Sequence, residues 1–188
     1  MEAFDAMKLM KRILRNIIPA LLCLFAIILS SCSKKSKPNV IFILIDDLGW
    51  MDVSYMGGTF YETPNIDRLR SQGMMFSNAY SACPVSSPSR ASILTGKNPA
   101  HLQFTGHITA IGRHRYPEDG LIIPPQDKMY VGQEEIMISE ALKPVGYETI
   151  SIGKWHVGDK DEYMPTYQGF DINIAGYEHG SPPTYWGP

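Results

Sequence analysis

Of 188 residues, the 157 that follow position 31 have the length of one ordinary domain, and 44% hydrophobic with 19% charged residues over the chain is a globular composition. A formal charge of −2 leaves no basic surplus, which argues against nucleic acid as a partner. Two of the three cysteines fall at positions 23 and 32, so the rest of the chain holds Cys83 alone and has no internal disulfide available.

Residues 1–31 read as a segment apart from the fold. Lys8, Lys11, Arg12 and Arg15 precede an apolar run from Ile17 to Leu29. Its 13 residues match the core of a signal peptide, about 7–15 residues, and fall short of the ~20 that a membrane span needs. Leu29-Ser30-Ser31-Cys32 resembles the cleavage box of bacterial lipoproteins, with Cys32 as the lipid-bearing first residue; an ordinary secretory signal is the alternative. Residues 32–37 then form a polar basic tether, and the mature protein is expected in the cell envelope, in the periplasm or at the cell surface. Loss of residues 1–31 changes 17 basic against 19 acidic side chains to 13 against 17, a formal charge of −4.

From Val40 to Ile45 the chain is continuously apolar and β-branched, the pattern of a strand buried on both faces of a parallel sheet. Thr63-Pro64 opens a helix over Asn65 to Gln72, and Gly73 stops it. Met74 to Ala79 fits a short strand. Ser86 then stands at the N-terminus of a second helix, with Pro88 in a first turn where its missing N–H costs nothing. Gln103 to Tyr130 is rich in Gly and Pro with little periodicity and reads as a long loop. Glu134 to Lys143 is helical in pattern, ended by Pro144 and Gly146, and Tyr147 to Ile152 makes another strand. Strands and helices alternating in this way predict an α/β fold with a mainly parallel sheet flanked by helices.

In such sheets ligands bind beyond the carboxyl ends of the strands. Asp46 and Asp47 after one strand, and Lys154 and His156 after another, should therefore face one crevice. A helix N-terminus offers unpaired N–H groups to an anion, and Arg90, one turn after Ser86, adds a guanidinium on the same face. Ser86 and Arg90 thus form a candidate oxyanion site, against the plain alternative of a capped Ser-rich helix. The adjacent carboxylates read either as a solvated turn or as hard oxygen ligands, which suit Ca²⁺ or Mg²⁺ better than zinc.

The spacing of these residues carries a resemblance. Ser86, one residue, Pro88-Ser89-Arg90, three residues, then Leu94-Thr95-Gly96 resembles the signature of type I sulfatases, whose first position is oxidised to formylglycine. Gly146-Tyr147-x-Thr149 followed by Gly153-Lys154-Trp155-His156 is similar to a second signature of that family, and Asp46-Asp47-Leu48-Gly49 to its metal motif. The resemblance covers about residues 38–188 and implies an alkaline phosphatase-like fold, incomplete in this chain. Cys83 lacks the Pro and Arg at the offsets that serve Ser86 and reads as a small buried residue.

What the resemblance implies is hydrolysis of sulfate esters, on a sulfated carbohydrate or an aryl sulfate. Oxidation of Ser86 and hydration of the aldehyde give two hydroxyls. One attacks sulfur, and proton loss from the other expels sulfate. Asp46, Asp47 and residue 86 are then metal ligands, with Ca²⁺ expected and Mg²⁺ the alternative. By the same resemblance His156 contacts the second hydroxyl, Arg90 steadies the hydrate and the metal site, and Lys154 binds sulfate oxygens. Ser181 is carried over as a substrate-pocket residue, with His179 beside it. His101, His107 and His114, in or near the long loop, read as solvated or substrate-contacting. Serine rather than cysteine at position 86 implies an anaerobic sulfatase-maturating enzyme as a partner before export. Family members add an Asp-Asn pair, another Lys and a His further along, so this chain by itself is expected to be inactive. Two other readings stand beside it: a phosphodiesterase or phosphonate hydrolase of the same superfamily, and a non-catalytic lipoprotein that binds sulfated glycans. Trp50, Tyr185 and Trp186 read as sugar-stacking or as core aromatics.

Overall fold

The computed structural model describes residues 6–8, 10–19, 21, 36–108, 121, 127–182 and 184–186, and the chain divides into two compact units, Met1–Ile45 and Asp46–Pro188. In the first unit the described residues between 6 and 21 are helical and exposed. No described helix is long and apolar enough to cross a membrane. Most of the predicted signal core, and Cys32, lie outside the described residues. The strand expected over Val40 to Ile45 is not formed: the run has no regular structure and its side chains are 42–84% exposed. A strand needs neighbours for its N–H and C=O groups, and the strand pairing among the described residues joins two later segments instead.

The second unit runs through a 3₁₀ turn Ser54–Met56, helix α1 Pro64–Gln72, helix α2 Ser86–Thr95, helix α3 Ile138–Leu142 with a 3₁₀ extension Lys143–Val145, strand β1 Ile150–Ile152, 3₁₀ turns Asp161–Tyr163 and Pro165–Gln168, and strand β2 Ile172–Ile174. α1 lies where Pro64 and Gly73 place it. The Thr63 hydroxyl does not cap it but accepts the Ser54 N–H at 2.9 Å, which fastens the preceding turn. α2 likewise ends at Gly96, whose φ of 69° suits a residue without a Cβ. The long loop bears no helix or strand over its described residues, and residues 109–120 and 122–126 of it lie outside them.

Two further expectations need correction. Met74 to Ala79 is not a strand; Ser77 and Asn78 make a turn, as their side chains favour, and the segment has no ladder partner. The helix expected from Glu134 starts only at Ile138. Glu134 and Glu135 are drawn to Lys128 and Lys97, and the Glu135 N–H closes a turn on Gly132 O at 3.1 Å. Glu140 then caps the true start by accepting the Met137 N–H at 2.9 Å. Pro144 sits inside the 3₁₀ extension, and Gly146, φ 79°, is the stop.

β1 and β2 pair in parallel, Ile150 opposite Ile172 and Ile152 opposite Ile174. β1 is shorter than the predicted Tyr147–Ile152 because Thr149 is bonded elsewhere. Its N–H and hydroxyl both go to the Asp171 carboxylate, at 2.8 and 3.0 Å. The core lies between α2 and the loops: Ala91, Leu102, Phe104, Ile108, Val131, Met137, Trp155 and Val157 form one buried cluster. Ser87, Pro88 and Ala91 give α2 its buried face, which fixes the rotation of the helix and so the direction of its first residue.

Candidate active site

α2 begins at Ser86 without a side-chain cap, so the Ser86 hydroxyl is available for a tertiary contact. Ser87, fully buried beside it, accepts the Ile108 N–H at 3.1 Å and holds that loop residue against the helix start. One turn on, Arg90 donates through Nη1 to Lys154 O at 2.5 Å, and its Nη2 lies 3.8 Å from Asp46 Oδ2. Arg90 Nε is buried with no acceptor. Burial lowers the guanidinium pKa, and Asp46 partly offsets this.

His156 is brought to Ser86 by the turn after β1. Gly153 takes φ 83° there and donates its N–H to Ile174 O at 2.8 Å. Trp155 is buried, with its indole N–H on Tyr163 O at 2.8 Å. His156 is 1% exposed, with Nδ1 3.0 Å from Ser86 Oγ and Nε2 2.9 Å from Ile108 O. A carbonyl only accepts, so Nε2 carries the proton and Nδ1 is left to accept from the Ser86 hydroxyl. Burial is the main cause that pushes the His156 pKa down to about 4, and His107, Lys154 and Arg90 lower it further, while the Ile108 carbonyl opposes them. The ring is therefore neutral in ordinary conditions. Gly180 makes room for it: a Cβ there would meet His156 Cε1 at 2.7 Å.

The two acids stand differently. The Asp46 carboxylate is bonded to the Lys154 ammonium and faces Arg90, while Asp47 lines the cavity with Ser86. Asp52 shapes the turn between them and the rest of the unit, accepting the Gly49 N–H at 2.8 Å. Asp47 and His156 take φ of 57° and 60°, conformations that non-glycine residues rarely adopt and that collect at functional sites. Among the described residues no three metal-ligating side chains come together. The pair nevertheless has the hard-oxygen chemistry of part of a Ca²⁺ or Mg²⁺ set, with Asp46 itself engaged by Lys154 and Arg90.

Asp47, Ser86, Lys154, His179 and Ser181 line one cavity of about 850 Å³. His156 lies buried behind Ser86, and Asp46 and Arg90 connect to the group through Lys154. Ser181 uses its carbonyl, which accepts the Tyr177 hydroxyl at 3.0 Å, and His179 pairs with Glu178 at 3.1 Å. His107 also lines the cavity, its ring edge-on to His156 at 4.6 Å between centroids, whereas His101 is solvated and His114 lies outside the described residues. Ile108 has no sequence signal at all, because it acts through a backbone carbonyl. Cys83 is free and half-buried rather than buried. Trp50, Tyr185 and Trp186 are 70–85% exposed and belong to no core.

Residues 38–183 match the sulfatase family model. The chain is similar to mouse N-acetylgalactosamine-6-sulfatase, 37% identical over 169 residues that make up 89% of this chain and 30% of that protein. It is also similar to the N-acetylgalactosamine-6-O-sulfatase of Bacteroides thetaiotaomicron, 36% identical over 70% of this chain and 24% of that protein. Among solved structures, Ps i-CgsB in complex with k-i-k-neocarrahexaose superposes with a TM-score of 0.53 at 36% identity, over 70% of this chain and 26% of that one. The chain thus spans about 30% of the length of the mouse relative.

Proposed function

We propose, on the premise that the chain belongs to the sulfatase family, that it carries the nucleophile, base and anion-binding groups of a sulfuric ester hydrolase acting on sulfated carbohydrates. The names of the relatives point to 6-O-sulfated N-acetylgalactosamine as the sugar class. The observation that carries this reading is the contact of Ser86 Oγ with His156 Nδ1 at 3.0 Å, at a cavity lined also by Lys154. Formylglycine at position 86 would supply a hydrated aldehyde able to attack sulfur, and a Ca²⁺ or Mg²⁺ held by Asp46, Asp47 and residue 86 would supply positive charge against the sulfate oxygens.

The chain's own residues do the rest. His156 Nδ1 takes the proton of a hydroxyl on residue 86, and Ile108 O fixes the tautomer that leaves this nitrogen free. Arg90, with its buried Nε still lacking an acceptor, steadies an oxygen on residue 86. Lys154 presents its ammonium between Asp46 and the cavity, where it offsets charge on sulfate. Ser181 and His179 contact the sugar. Cys32 is taken as the lipid-bearing residue that holds the protein in the cell envelope, and an anaerobic maturating enzyme as the partner that oxidises Ser86 before export.

The test is mass spectrometry of the tryptic peptide Ser71–Arg90 from the native host, with rates on matched aryl sulfate and aryl phosphate. A peptide two hydrogens lighter than the genetic sequence, and preference for the sulfate, are expected. Wholly unmodified Ser86 would favour a glycan-binding lipoprotein, and clear preference for phosphate a phosphodiesterase.

A further inference from the structure

We infer that Asp159 and Glu178 form the wall of the cavity that meets the sugar, and that they select a ring bearing one anionic group, the sulfate to be removed. This rests on the sulfatase reading and narrows its substrate class. A cavity of about 850 Å³ has room for a saccharide as well as a sulfate. Its lining charges are uneven. Lys154 is the lysine or arginine in the lining, whereas Asp47, Asp159 and Glu178 are all carboxylates. Asp47 belongs to the candidate metal pair, which leaves Asp159 and Glu178 without a role in sulfate binding.

Both acids are tied to the backbone that carries the base. Asp159 follows His156 by three residues, past the buried Val157 and Gly158. Glu178 follows Tyr177, whose carbonyl accepts the His156 N–H at 3.3 Å. Their distance from residue 86 is therefore set by the same turn that sets the base. Glu178 pairs with His179 at 3.1 Å, and among the described residues Asp159 forms no ion pair. A carboxylate accepts strong hydrogen bonds from sugar hydroxyls and repels a second sulfate or a uronate carboxyl, so the pair both attracts the wanted ring and rejects the wrong one.

The experiment compares kcat/KM for glycosides of N-acetylgalactosamine 6-sulfate and its 4,6-disulfate, using the protein purified from its native host with Ser86 converted. The unsubstituted protein should prefer the monosulfate, and added salt should weaken the preference as it screens the repulsion. Asp159→Asn and Glu178→Gln should each cut that preference, by about tenfold for one close like-charge contact removed, chiefly through KM. Equal turnover of the two sugars, or a preference unchanged in both variants, overturns the inference and leaves the sulfatase reading standing. Turnover of neither sugar, with an aryl sulfate also untouched, overturns both.

Discussion

His156 is held from three sides, and each hold has a different cause. The Ile108 carbonyl sets its tautomer, burial keeps it uncharged, and the bare Cα of Gly180 leaves space for the ring. A pKa pushed down to about 4 from the ordinary 6.5 means that, between those values, the unfolded chain binds a proton that the fold does not. The contribution is full above about pH 6.5 and is lost as pH falls toward about 4. The thermal midpoint should therefore drop across that window, and drop less in His156→Gln; an equal drop in the variant would assign the acid lability to other groups. Gly180→Ala should displace the imidazole while leaving the core cluster alone. On the proposed function, an aryl sulfate hydrolysis rate lower by about 10²-fold in the protein from its native host, the scale for a displaced reacting group, with a nearly unchanged melting curve is the expected pair of results.

Among the elements, α1 is legible at both ends because Pro64 and Gly73 define them, and α2 at its start because Ser86 and Pro88 do, while its stop at Gly96 is seen in the structure. The start of α3 is not legible, because Glu134 and Glu135 look helical yet are pulled to lysines in other segments. The true start of β1 at Ile150 is not legible either, since nothing local says that Thr149 is committed to Asp171. The anchor of α2 is the buried cluster around Ala91 and Phe104, both fully buried. Phe104→Ala should cost about 3–5 kcal/mol of stability and loosen the Ser86–His156 contact with it. Chemical denaturation would measure the first, and a stability loss under 1 kcal/mol would mean that α2 is held chiefly by its polar contacts.

Across the whole chain, apolar surface is the dominant physical fact. Ile150, Ile152, Ile172 and Ile174 share one face of the small sheet and are 49–72% exposed, and the run from Val40 to Ile45 is exposed as well. Patches of this kind drive association when nothing covers them. The 188-residue chain is accordingly expected to self-associate with rising concentration in light scattering, and Ile152→Lys with Ile172→Lys to suppress it. A monomer at all accessible concentrations, unchanged by the lysines, would show that the face is harmless.

The sequence by itself marked the candidate site positions, because Ser86, Arg90, Lys154 and His156 stand at fixed offsets inside short motifs, and the backbone within a motif is local. It also determined α1, which begins on Pro64 and stops before Gly73, and the start of α2 around Ser86 and Pro88, since such residues act through their own φ and missing N–H. The tertiary structure alone decided how the motifs meet. Ser86 and His156 are 70 positions apart and come within 3.0 Å through the Ile108 carbonyl, the Ser87 hydroxyl and the empty side of Gly180. None of those three contacts depends on a residue type that advertises a site. It decided as well that the most strand-like run, Val40 to Ile45, stays unpaired, because a strand is made by its neighbours and not by its own composition.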